Sequence, residues 1–132
     1  MTGHLSLYHY TCGHGATDIR KQDRIIPGVH LHGKDVGGAR FAWFTDLAPP
    51  VPREAVGLTS LTLACDRTEC VFTVDRDAPN IRRWVDVRRS HPDLWHLELA
   101  EGAAPMHWFV SEHPVPVLAE VTANPRGNKE FA

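Results

Sequence analysis

A chain of 132 residues suits one domain around one hydrophobic core, and its 42% hydrophobic content with four tryptophans is enough to build that core. Its 14 basic and 16 acidic residues are mixed along the chain, for a formal net charge of −2. That balance does not indicate a nucleic-acid coat or a basic helix lying on a membrane, both of which concentrate positive charge on one face.

Three cysteines, Cys12, Cys65 and Cys70, cannot all pair within one chain. MTGHLSLYHY shows no basic region leading into an apolar one, and no apolar run nears the roughly 20 residues that span a bilayer. The expectation is a cytoplasmic protein with reduced thiols and no membrane partner.

Residues 5–11 read as a strand with Leu7, His9 and Thr11 on one face and Tyr8 and Tyr10 on the other. Cys12-Gly13-His14-Gly15 breaks it. ATDIRKQD then predicts a short helix that buries Ala16, Ile19 and the stem of Arg20, with Asp18 in its first turn. Residues 24–27 predict a short strand ended by a Pro-Gly turn. GVHLHGKDVGG is a glycine-rich connection to a second main strand at 40–45, and DLAPPVPRE is an extended loop because its prolines forbid helix or central strand.

Residues 58–64 and 70–74 predict two short strands joined by CDRTE. A helix is expected at 80–88, capped by Asn80, with Ile81, Trp84, Val85 and Val87 as its apolar side and the arginines at 82, 83, 88 and 89 on a solvated face. His91-Pro92 stops it. Alternation predicts strands at 95–99 and 106–111, EHPVPV a turn with a short extended piece, and 118–122 a terminal strand. The reading is a single domain over 1–132 with a frayed tail at 124–132. Its fold class is α+β, a bent antiparallel or mixed sheet with a few short helices.

Neither GxGxxG nor GxxxxGK[ST] occurs, so the two common phosphate-binding loops are absent. Three constellations carry candidate chemistry. In YHYTCGH, His9 lies in a strand among aromatics and either holds a ligand or is a partly buried histidine bonded to the backbone. In AWFTD, Trp43 and Thr45 share a face, where a ring and a hydroxyl suit stacking on a base and bonding to a ribose, or alternatively form core and surface. In VSEHP, Glu112 follows a strand at a turn, where a carboxylate can stabilise an oxocarbenium-like sugar. Cys12, His14, Cys65 and Cys70 have zinc-ligand chemistry without paired-knuckle spacing, and His30 and His32 sit in a glycine-rich stretch. No metal is assigned. Cys12 with His9 or His14 as base is a weaker nucleophile reading.

Taken in order, LYHYT, a short helix, RIIPG, AWFTD and a late VSEHPVPV resemble small, His-containing members of the ADP-ribosyltransferase-like superfamily, including RNA 2'-phosphotransferase-like and toxin-like branches. The resemblance implies a split, bent β-core that clasps NAD. It implies that His9 is the first-motif histidine, Thr45 with Trp43 the second motif, and Glu112 the late acid, with His107 as rival. Tyr8, Tyr10 and Thr11 then join His9, Trp43 and Thr45 as cofactor-binding residues, and Glu112, His9 and His107 are the catalytic candidates. The implied activity is NAD-dependent ADP-ribosyl transfer or NAD glycohydrolysis, with NAD as cofactor and an acceptor, such as a protein, as partner. The alternative is a non-enzymatic nucleotide-binding or protein-interaction module of the kind carried by phages.

Overall fold

The computed structural model describes residues 6–11, 13–27, 41–50, 70–92, 95, 98 and 103–121. Within them β1 (Ser6–Thr11), α1 (Gly13–Gln22), β2 (Arg24–Ile25), β3 (Ala42–Thr45), β4 (Cys70–Asp75), β5 (Arg82–Arg83), α2 (Trp84–Val87), β6 (Trp108–Ser111), β7 (Val115–Pro116) and β8 (Ala119–Val121) follow in chain order. Six strands form one sheet in the order β5-β6-β3-β1-β4-β8, and β2 and β7 pair separately. Every pairing among the described strands is antiparallel, so the fold is mixed α+β on a largely antiparallel sheet, as expected.

The pairing is uneven. β1 and β4 register over six residue pairs, from Ser6↔Asp75 to Thr11↔Cys70, and β3 and β6 over four. β1 and β3, the two central strands, share a single register pair, Tyr8↔Thr45. The six strands form one continuous sheet whose sparsest register lies between the halves β5-β6-β3 and β1-β4-β8.

The two faces of this sheet carry different cores. Leu7, Ala42, Phe44, Phe72, Val74 and Phe109 point to one face, where Ala16 and Ile19 of α1, Ile25 of β2 and Val115 of β7 cover them. Residues 76–81 cross on this face from β4 to the far edge of the sheet, and Ala78 and Ile81 pack against the same cluster. Trp108 and Val110 point to the other face and pack with Phe41, Trp84 and Val87, so α2 covers the β5-β6-β3 half. Each fully buried aliphatic side chain of these clusters contributes roughly 1.5–3 kcal/mol.

Several boundaries differ from expectation. β1 ends at Thr11 as expected, but α1 already begins at Gly13, three residues before the expected start at Ala16, and its first turn holds no acidic residue. Ala16 and Ile19 are buried as expected, whereas Arg20 is exposed and binds Glu120 of β8 through two hydrogen bonds of 2.9 and 2.7 Å. The helix ends at Asp23, whose φ of 60° is the left-handed conformation that short polar side chains tolerate, with its N–H returning to the Ile19 carbonyl.

The expected helix at 80–88 shrinks to Trp84–Val87 followed by a 3₁₀ turn at Arg88–Ser90. Asn80 takes φ 77° in a turn and caps nothing; Arg82 and Arg83 instead pair with β6. The expected strand at 95–99 is absent at its described positions, since Trp95 and Glu98 lie in 3₁₀ turns. Met106 and His107 likewise belong to a 3₁₀ turn, Pro105–His107, that precedes β6. The glycine-rich connection at 28–38, the strand expected at 58–64 and the tail at 124–132 lie outside the described residues. Among the described residues no helix is long and apolar enough to cross a membrane.

Candidate functional site

Alternation along β1, combined with the Tyr8↔Thr45 register, decides which predicted residues meet. Tyr8 and Tyr10 share the sheet face of Trp43 and Thr45, while His9 and Thr11 lie on the opposite face with Leu7. The six predicted cofactor-binding residues therefore divide into two groups across the sheet.

On the first-core face, His9 is buried and its Nδ1 donates a 2.8 Å hydrogen bond to the Trp43 carbonyl of β3. A carbonyl only accepts, so this contact fixes the proton on Nδ1. The imidazole packs against Phe44 with ring centroids 5.8 Å apart. His9 thus bridges the seam where regular β1–β3 pairing stops, and the bond to backbone is the one anticipated as the alternative to ligand binding. Thr11 is buried beside it, and its hydroxyl has no hydrogen-bond partner.

On the other face, Tyr8 and Trp43 are half-buried and remain accessible at the seam. Trp43 is held by three aromatic neighbours: Phe41 and Trp108 meet it edge-on at 5.8 and 5.9 Å, and Trp84 meets it tilted at 5.2 Å. Trp84 is itself anchored, its indole N–H donating 2.8 Å to Glu98, which also accepts from Arg88. The loop after β3 folds back over this face. Tyr10 donates to the Leu47 carbonyl at 2.9 Å, and the Leu47 N–H donates to the Thr45 hydroxyl at 3.2 Å. Thr45 is therefore buried and engaged in its own turn. Burial holds the Tyr10 phenol protonated well above its ordinary range, and the charge of an ionised Tyr8 acts in the same direction.

The two rival late residues lie at opposite ends of β6. Trp108 pairs with Thr45 and Ser111 with Ala42, so roughly 10 Å of strand separates the ends. Glu112 is exposed just past Ser111, whose hydroxyl donates to the His113 carbonyl and accepts from the His113 N–H to hold the turn. His107 sits at the other end, next to the Thr45↔Trp108 pair, and its Nδ1 lies 2.7 Å from Asp46 Oδ1. Their side chains are 47% and 30% exposed, so solvent and ligands can reach both. The Asp46 N–H also donates to the His107 carbonyl at 3.2 Å, which ties the two residues through backbone as well as side chain.

Asp46 is the residue that sequence reasoning missed. The signal is an acid directly after the AWFT strand and a histidine directly before WFVS, positions that the antiparallel register brings together. Of the candidate zinc group, Cys12, Cys65 and the His14 side chain lie outside the described residues, and Cys70 is half-buried against the first core. His30 and His32 are likewise outside them. Among the described residues no three His, Cys, Asp or Glu side chains cluster as metal ligands would. No family model, curated protein or solved structure significantly matches the chain.

Proposed function

We propose that the chain binds NAD along the seam between its half-sheets and cleaves the bond between nicotinamide and ribose, passing the ADP-ribosyl group to an acceptor or to water. The observation that carries this reading is the seam: two three-stranded halves joined by one register pair, with accessible Tyr8 and Trp43 beside it. That arrangement accords with the split β-core of the ADP-ribosyltransferase-like superfamily, which YHYT, AWFTD and the late VSEHPVPV resemble.

In this reading Trp43 and Tyr8 stack on the rings of the dinucleotide. His9 acts from the opposite face as the clamp that sets Trp43, not as a ligand. The whole of β6 lies between Glu112 and His107, five residues or about 16 Å apart along an extended chain, so one reacting carbon is not served by both. The reacting carbon is assigned to the His107 end, where β3 runs on into Asp46, and Asp46 supplies the negative charge that favours a developing ribosyl cation. Glu112, at the other end, accepts a hydrogen bond from the second ribose.

The test is turnover of NAD by the purified chain with two variants. E112A is expected to raise KM for NAD roughly 10-fold or more, the loss of one charge-assisted hydrogen bond. W43A is expected to weaken NAD binding, read by quenching of the remaining tryptophan fluorescence. A wild-type chain that neither releases nicotinamide nor changes its fluorescence with NAD would overturn the reading.

A further inference from the structure

We infer that Asp46 and His107 form a general-base dyad that deprotonates a hydroxyl acceptor, water or an alcohol, as it attacks the ribosyl carbon. The inference rests on the NAD reading above and specifies the acceptor chemistry of the same site.

An ionised carboxylate only accepts hydrogen bonds, so the 2.7 Å contact places the imidazole proton on Nδ1 of His107. In the neutral ring Nε2 carries the lone pair, and the side chain is 47% exposed. This is the arrangement in which a carboxylate fixes the tautomer of a histidine, orients it and stabilises the imidazolium formed when it takes a proton. The pair is tied to the backbone on both sides. Asp46 follows directly on β3, and His107 ends a 3₁₀ turn whose N–H donates to the Ala104 carbonyl at 2.9 Å. The backbone bond from Asp46 N–H to the His107 carbonyl closes the link. A site held by paired strand ends keeps its geometry better than one on a free loop.

The chemistry selects the acceptor. Carboxylates and thiolates attack without help, whereas a hydroxyl must lose its proton as its oxygen bonds to carbon. In the step inferred, the C–N bond to nicotinamide breaks and its electron pair neutralises the pyridinium nitrogen. The acceptor oxygen forms the new bond to the anomeric carbon, and its proton passes to His107 Nε2 and on to solvent. Atoms and charge balance without an additional reactant.

The test uses the full chain, NAD as donor and methanol as a small hydroxyl probe. Nicotinamide, ADP-ribose and the O-methyl glycoside are quantified together. Wild type is expected to release nicotinamide and to form more methyl glycoside as methanol rises. His107→Ala is expected to slow both products by roughly 100-fold or more, at the lower end of what general-base catalysis contributes, and added imidazole to restore part of the rate. Asp46→Asn is expected to slow them at least several-fold while leaving the NAD-dependent fluorescence change in place. Should His107→Ala not fold, as judged by circular dichroism, His107→Gln takes its place.

A His107 variant that turns over as fast as wild type overturns the dyad while leaving the NAD reading intact. A slow variant that imidazole does not rescue, with a lowered Tm, shows a staple between strand ends and also overturns the dyad. Wild type that neither binds nor cleaves NAD overturns the parent reading and the dyad with it.

Discussion

Tyr10 uses its hydroxyl inside the fold, on the carbonyl of Leu47, and so anchors the loop that follows β3. Y10F removes this bond and is expected to lower stability by about 0.5–1.5 kcal/mol at neutral pH, measured by urea denaturation. The pH dependence has a definite sign. Because burial raises the folded pKa of Tyr10, its contribution is whole below the unfolded value of about 10 and declines as alkali ionises the unfolded phenol first. Wild type should therefore lose stability faster than Y10F above about pH 10; parallel curves would remove the buried phenol as the cause. The exposed Arg20–Glu120 pair shows the opposite case. The Arg20 guanidinium, hydrogen-bonded to it, holds Glu120 below the usual carboxylate range against a desolvation penalty. Whatever stability the pair adds is present above that range and is lost as acid protonates Glu120. Solvent screening keeps it small, so E120Q is expected to shift Tm by no more than a few degrees.

At the scale of elements, the join between β1 and β3 depends on one register pair and on the His9 imidazole. H9A removes the donor to the Trp43 carbonyl and is expected to cost about 1–3 kcal/mol. It should also speed amide exchange in β3 more than in β1 and β4, which hold each other through six register pairs. Uniform exchange across the sheet would mean that the seam is no weaker than its halves. The main strands were legible because strict alternation survives in LYHYT and WFVS, where each face has its own core. The helix expected at 80–88 misled for a physical reason. Ile81 packs in the first core while Trp84 and Val87 pack in the second, so residues that look like one apolar helix side serve opposite faces of a sheet. Asn80 added to the error, because the residue type that caps helices also tolerates positive φ. Trp95 and Glu98 alternate as in a strand, yet they stand three apart in 3₁₀ turns and both reach Arg88: Trp95 through the Arg88 carbonyl, Glu98 through its guanidinium.

Across the whole molecule, the sheet divides the candidate residues more sharply than their sequence order suggests. His9 and Thr11 belong to the packed side, Tyr8 and Trp43 to the accessible side, and the late chain offers Glu112 and His107 at opposite ends of one strand. Sequence alone could name these residues, but faces and ends depend on long-range register, which short motifs do not encode. The second core underpins the accessible side, since Trp43 rests on Trp84 and Trp108. Truncating Trp84, which is fully buried and bonded to Glu98, is expected to cost about 3–5 kcal/mol and to loosen Trp43 with it. The most direct measurement is release of nicotinamide when the purified wild-type chain is incubated with NAD. Catalytic release is expected, accompanied by quenching of tryptophan fluorescence as NAD saturates the seam. No release and no quenching at millimolar NAD would contradict it, leaving a split sheet that serves as an interaction module.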